Sequence, residues 1–437
     1  MRRFVLLLCL ATACATPSRA SRPEAGGTGA QAGSAVQGAP TTGPREPEPT
    51  GPFARELPPL PKHRVDSPER IFTAEVEASS APTLARNEGS TRIDIPLGTE
   101  AALGCFVYER PLDAAGALLA VAKAVREGPG VTVRRMEPTE VAVVSGAPVL
   151  FLRVDYESTA PGDTGAGQMK LMVSASPELP LLCAHDEPGY AKTFRRITLD
   201  LARTLQVPGR PRPPARSEEL HVLKLDGRLS GFDWRASRSE APGFTRTEST
   251  TSLMLRNADG MLRAEDVTTT TLTDERGHLA ELRYARAEDG TLAMQVTLRR
   301  EKEPATANAP STSPEALTVP GTSYRYEGRQ GPRALKGTFT SKRGLATDED
   351  IRLAVSRWLL PGGRPEVVLD VYRPSDDATA PVELTLRRDA SAGARALTLS
   401  TGARTAKARA NAQGQIEWLE VSRPEGTLTS ERLQSAP

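Results

Sequence analysis

Histidine, cysteine and aromatic residues are all scarce in this chain. Among 437 residues there are 4 histidines and 4 cysteines, and Phe, Trp and Tyr together make up 4%. No paired-ligand spacing for zinc is present, and no nucleophile elbow, phosphate-binding glycine loop or dinucleotide fingerprint occurs. Few aromatics also means few of the stacking platforms that single-stranded nucleic acid needs. An excess of one charge is missing too, since 56 basic and 54 acidic residues give a net charge of +2. That balance lacks the basic footprint of a nucleic-acid binder. Beyond the first dozen residues no apolar run approaches the length of a membrane-spanning helix. These absences argue against nucleic acid as a partner. They supply no metal site and no cofactor, and the chain reads as a non-enzyme.

What is present starts at the first residue. Arg2 and Arg3 precede the apolar run Phe4 to Leu10, which is followed by Ala11-Thr12-Ala13-Cys14. A basic start, a short apolar core and small residues make an export signal, too short to cross a bilayer as a helix. Ending on Cys14, the stretch resembles the lipobox of bacterial lipoproteins, with Ala11 standing where leucine is usual. The resemblance implies removal of residues 1–13, acyl chains such as palmitate on Cys14, and a membrane anchor in the bacterial cell envelope. Ala15 in place of aspartate points, by the sorting rule of some bacteria, to the outer membrane, facing the periplasm or the cell surface. The alternatives are an ordinary cleaved secretory signal and an uncleaved anchor.

Cys9 leaves with the signal and Cys14 takes the lipid, so Cys105 and Cys183 remain. Two thiols in an oxidising compartment are expected to pair. On the chain-entropy model a bridge over that span stabilises by up to about 4 kcal/mol. The alternative is two separately buried free thiols.

Residues 14–61 carry the lipidated cysteine and then Gly, Ala, Pro, Ser and Thr with few large apolar groups, so they read as a disordered tether. A first unit spans 62–207. Alternating stretches such as Arg92–Ile95 and Leu103–Tyr108 predict strands. Ala114–Val125 predicts a helix capped by Asp113 and stopped at Gly128-Pro129-Gly130. A second helix follows Asp186-Glu187-Pro188, with Tyr190, Phe194, Ile197, Leu201 and Leu205 on one face. The element order, with Cys183-Ala184-His185-Asp186-Glu187-Pro188-Gly189-Tyr190 leading into that helix, resembles the PsbP-like class. The resemblance implies a small α/β sandwich in an accessory or binding protein.

Residues 208–217 form a Pro-rich linker. From 218 to 437 the pattern is almost all strand, with turn signals at Asp259-Gly260 and Asp289-Gly290 and a Pro/Ser/Ala/Thr loop at 303–320. Only Asp348–Trp358 could be helical. Gly337–Arg343, Leu360-Pro361-Gly362, Val371–Pro374, Glu417–Glu420 and Gly426-Thr427-Leu428 resemble the LolA-like β-module of transglutaminase-associated lipoproteins. No cysteine follows Cys183, so the resemblance implies the module without its enzyme. The fold class expected is therefore α+β: a small α/β sandwich followed by a mainly antiparallel β-meander, half-barrel or barrel-like.

Cys183-Ala184-His185-Asp186 is the one cluster of reactive side chains, and a disulfide cysteine, a loop histidine and a helix cap account for it. His63, His221 and His278 are isolated. The hydroxyl runs Ser249–Ser252 and Thr268–Thr271 read as solvated strand faces. Trp234, Trp358 and Trp418 read as core pieces, or as the lining of an apolar ligand cavity. The expectation is a non-catalytic, membrane-anchored protein that binds or scaffolds an envelope protein partner. The alternative is a carrier holding a lipid or lipoprotein acyl chain in the C-terminal β-domain.

Overall fold

The computed structural model describes residues 50–160, 163–209, 214–240, 243–257, 261–301, 320–358, 366–389, 391–393, 395–402 and 404–436. The export signal, Cys14, the tether up to residue 49, the linker core 210–213 and loop residues 303–319 lie outside them.

In the first unit the strands are β1 (Lys62–Asp66), β2 (Thr73–Glu77), β3 (Thr83–Asn87), β4 (Ser90–Ile95) and β5 (Leu103–Tyr108). Helix α1 (Ala114–Arg126) follows, then β6 (Val131–Val144), β7 (Ala147–Ala160), β8 (Asp163–Ser174), β9 (Leu181–Asp186) and α2 (Ala191–Thr204). β1 and β2 form a hairpin, and the other seven strands form one sheet in the order β3-β4-β5-β9-β8-β7-β6. That sheet is buried on both faces. α2 and the hairpin cover one face, through Phe72, Val76, Phe151, Met172, Phe194 and Ile197. α1 and the second unit cover the other, through Leu118, Val121, Leu150, Leu152, Leu171, Phe232 and Trp234.

The second unit begins with β10 (Ser217–Leu225), β11 (Arg228–Ser239), β12 (Thr245–Arg256), β13 (Leu262–Thr273), β14 (Leu279–Glu288) and β15 (Thr291–Arg300). β16 (Thr322–Gln330), β17 (Arg333–Ser341), α3 (Asp348–Trp358), β18 (Glu366–Val371) and β19 (Val382–Arg388) come next. It ends with β20 (Ala396–Thr401), β21 (Arg404–Ala410), β22 (Ile416–Arg423) and β23 (Gly426–Ala436). These make a fourteen-stranded meander in which β10 pairs with β23, so the chain's last strand returns to the unit's first. The two ends of the meander meet through the Leu345–Asp370 bridge and Ser341 Oγ, which donates to Asp370 Oδ2 at 2.9 Å. The result is a nearly closed barrel.

The expected α+β class is thereby overturned. Strands hold 58% of the described residues and helices 12%, in two large antiparallel sheets and the β1–β2 hairpin. The separate α/β sandwich fails for a physical reason: the face of the first sheet that carries α1 is completed by the barrel wall, so three layers share one core. Strands β6 and β7, at 14 residues each, also run far beyond the apolar stretches that marked them.

Two local expectations are corrected too. Residues 50–61, assigned to the tether, lie along α2. Leu57 and Leu60 join the core. Glu56 accepts from Lys192 N at 2.8 Å and Thr193 N at 2.7 Å, capping a helix that neither Asp186 nor Glu187 caps. Asp113 stands at the start of α1 without a side-chain cap bond. That role falls to Asp266 of β13, which accepts from Ala115 N and Gly116 N.

Candidate functional site

Side chains alternate across a strand, so strand register tells the inside of the barrel from the outside. On β11 the outward residues Phe232, Trp234 and Ala236 enter the core shared with the first unit. Their neighbours Asp233 and Arg235 therefore face inward, opposite Thr251 and Ser249 of β12. The same face continues through Val267, Thr269 and Thr271 on β13. Glu219 and His221 on β10, and Arg432 and Ser430 on β23, complete this wall. The barrel's inner surface is polar here.

The rest of the interior is apolar. On β14–β17 it holds Tyr284, Val296, Leu298, Tyr324, Tyr326 and Leu335, with Phe339 stacked on Tyr372 at a ring separation of 5.6 Å. On β18–β21 it holds Leu384, Leu386, Leu397 and Ala408, covered by Ala354 and Val355 of α3. One end is filled by Leu223, Leu225, Leu253, Leu255 and Leu428. Beside them Arg263 and Glu265 of β13 pair with Glu425 and Arg423 from the β22–β23 hairpin. Those strands are not neighbours in the sheet, so the four charges reach across the barrel.

α3 is set in place by sequence-local chemistry. Thr347 and Asp350 cap reciprocally: Thr347 N donates to Asp350 Oδ2 at 2.7 Å, and Asp350 N to Thr347 Oγ1 at 3.3 Å. Acidic residues fill the first turn, where the helix dipole favours them. Close seating needs Gly414 (φ +79°), because a Cβ there would lie 2.4 Å from the Arg352 carbonyl oxygen.

The polar wall and α3 meet at Arg235, whose guanidinium lies 3.2 Å from Asp348 Oδ2 at the start of the helix. Arg235 lies on the inward-facing register of β11, yet 35% of its side chain is accessible to solvent. Solvent therefore reaches this group from inside the barrel. Its Nε has no partner. The Asp348 carboxylate, followed by Asp233 and Glu219, holds the guanidinium above its ordinary value. His221 shares Nδ1 with Ser430 Oγ at 3.1 Å, and burial pulls its pKa down despite Asp233 and Glu219. Arg432 donates to Gln415 Oε1 at 2.7 Å, and Gln415 Nε2 to Glu219 Oε1 at 3.2 Å. Chemically, this wall offers donors and acceptors of both charges to a polar group, beside a large apolar surface.

The residues singled out from sequence are scattered. Trp234 lies outside the barrel, in the core between the two units, with its indole N–H on Glu218. Trp418 is on the face away from α3, under Arg409 at 5.2 Å. The side chain of Trp358 falls outside the described residues. The three do not form one lining. Cys105 and Cys183 stand directly opposite each other on β5 and β9 and form a disulfide. His185, next along β9, is fully buried, and burial followed by the charge of Lys170 drives it down to about 3. Lys170 is itself lowered to about 8 by burial. Among the described residues no group of three or more His, Cys, Asp and Glu could hold a metal ion.

Sequence reasoning missed Glu219, His221, Asp233, Arg235 and Arg432. The one signal was the hydroxyl run, since alternate members of Ser249–Ser252 and Thr268–Thr271 belong to this wall.

No protein-family model and no curated protein matches the chain. Among solved structures it is similar to a beta-barrel-like protein of the domain of unknown function DUF1849 from Brucella abortus. That match has 12% identity and a TM-score of 0.36, over 51% of this chain and 98% of that one. A protein from Bacteroides thetaiotaomicron is similar at 14% identity and a TM-score of 0.20, over 36% of this chain and 52% of that one.

Proposed function

We propose that this is a non-catalytic binding protein of a bacterial envelope, held at a membrane by lipid on Cys14, with the inside of the barrel as its binding surface. The observation that carries this reading is the divided interior. A wet polar wall centred on Arg235 lies beside an apolar surface roofed by α3. Charged groups on an inward face that are only partly paired with one another leave donors and acceptors free for a polar ligand. The disulfide supports an oxidising compartment. The Cys14 motif supports the anchor, and Ala15 the outer membrane.

The second reading is a carrier for a lipid or lipoprotein acyl chain. The apolar residues Leu384, Leu386, Leu397 and Ala408 favour it once α3, which covers them, lifts away, and the tryptophans do not. Native mass spectrometry on protein purified from an oxidising periplasm without detergent tests both. A bound small polar molecule, lost in Arg235→Ala, supports the first reading. A bound acyl chain supports the second. A bare chain that also takes up no fluorescent fatty acid removes the carrier, and a bare chain that gains no ligand from envelope extract removes the barrel interior as the binding surface.

A further inference from the structure

Beside the core that the first sheet shares with β11, the first unit also meets the barrel through the N-terminus of α1. Ala115 N and Gly116 N donate to the two oxygens of Asp266 at 3.0 and 2.8 Å, and Ser252 Oγ donates to the same carboxyl at 2.6 Å. Asp266 is 3% exposed. The fit is close: a Cβ on Gly116 would lie 3.0 Å from the backbone nitrogen of Gly290. Asp289 fixes that turn by accepting from Ala264 N at 2.7 Å. Around this carboxyl the contact between the two units is apolar, built from Ala114, Ala115, Leu118, Met254 and Ala264.

We propose that Asp266 makes the seating of α1 on the barrel depend on protons, so that the two units hold together more tightly in mild acid than at neutral pH. Two influences compete at the group. Its three donors favour the ionised carboxylate, while loss of water opposes it. Burial is the larger, Asp113 adds repulsion, and the carboxyl sits at about 6 instead of the ordinary 3.8. Asp113 is itself raised by burial. Of the other charged groups nearby, Asp289 is on the adjoining turn, and Arg263 and Glu265 point from β13 into the barrel. The cations Lys123 and Arg126 are in the last turn of α1, at its far end.

When α1 lifts away, Asp266 meets water and returns toward the ordinary value. Below that value both forms are protonated and pH changes nothing. Between it and about 6 the seated form keeps its proton and the lifted form does not. Seating therefore weakens as pH rises through this window and is weakest above it. A gap of about two units corresponds to a change of roughly a hundredfold in the seating equilibrium.

Hydrogen exchange on the full chain from pH 5 to 8, corrected for the intrinsic pH dependence of exchange, tests this. Protection of the amides of Ala115, Gly116 and Ala117 is expected to fall about tenfold toward pH 8, while those of α2 stay level. Asp266→Asn is expected to flatten the profile. A level wild-type profile, or the same slope in Asp266→Asn, overturns the proposal. If Asp266→Asn does not fold, Ser252→Ala serves. It removes a donor to the ionised form, so the midpoint should move to higher pH, and an unmoved midpoint overturns the proposal.

Discussion

The seven-stranded sheet is covered on both faces, whereas among the described residues the barrel is covered on the outside where the first unit sits and filled unevenly within. At the centre of the first sheet both faces meet a core, so β7 reads as the apolar run Val149-Leu150-Phe151-Leu152. In the barrel, β10–β13 and β23 turn hydroxyls and charges toward the inside. A sheet whose two faces are both dry has stability as its task. A wall that keeps Arg235 wet and partly unpaired gives up burial for contact with something else.

The contrast can be broken hardest at the core the two units share. Trp234→Ala removes a fully buried indole and is expected to cost about 3–5 kcal/mol. Because both sheets lean on it, urea unfolding followed by probes on each unit should shift as one transition, and a shift confined to the barrel would show independent cores. Next is the disulfide. Cys105→Ser with Cys183→Ser is expected to cost about 2–4 kcal/mol, read as a lower denaturation midpoint with the loss centred on the first sheet. Glu56→Ala leaves the first amides of α2 without acceptors and should cost about 1 kcal/mol, seen as faster exchange at Lys192 and Thr193. The smallest stability effect is expected at Arg235→Ala, under about 1 kcal/mol, because its pair with Asp348 is half exposed. There a thermal melt should barely move while ligand retention is lost, and a large destabilisation would make Arg235 structural.

The same contrast explains what could be read from sequence. Leu103–Tyr108 alternates with one face in a core, and it is β5 residue for residue. Asp348–Trp358 carries its own capping residues and is α3. β21 and β23 have no such pattern, and Arg404–Ala410 holds no large apolar residue. A strand with polar groups on both faces loses the contrast that marks a strand. Phe232-Asp233-Trp234-Arg235-Ala236 of β11 does alternate, but alternation alone does not say that the polar face is the inner one. The caps were illegible for another reason. Glu56 lies 136 residues from Lys192, and Asp266 lies 151 from Ala115, so no local spacing announces either. The disulfide was readable because the sequence reading set Cys9 and Cys14 aside with the export signal and left two cysteines to pair.

Residues 51–61 lie between the N-terminal part of the chain and β1, and they are fastened to α2 by Glu56 and by the Arg196 side chain on the carbonyls of Leu57 and Pro58. A pull arriving along the chain from the N-terminal side thus meets the end of a helix before it meets the β1–β2 hairpin. Glu56 takes that load through short bonds to backbone amides, and α2 spreads it into the disulfide-bridged sheet. The hairpin, which would otherwise unzip one pair at a time, is shielded from tension.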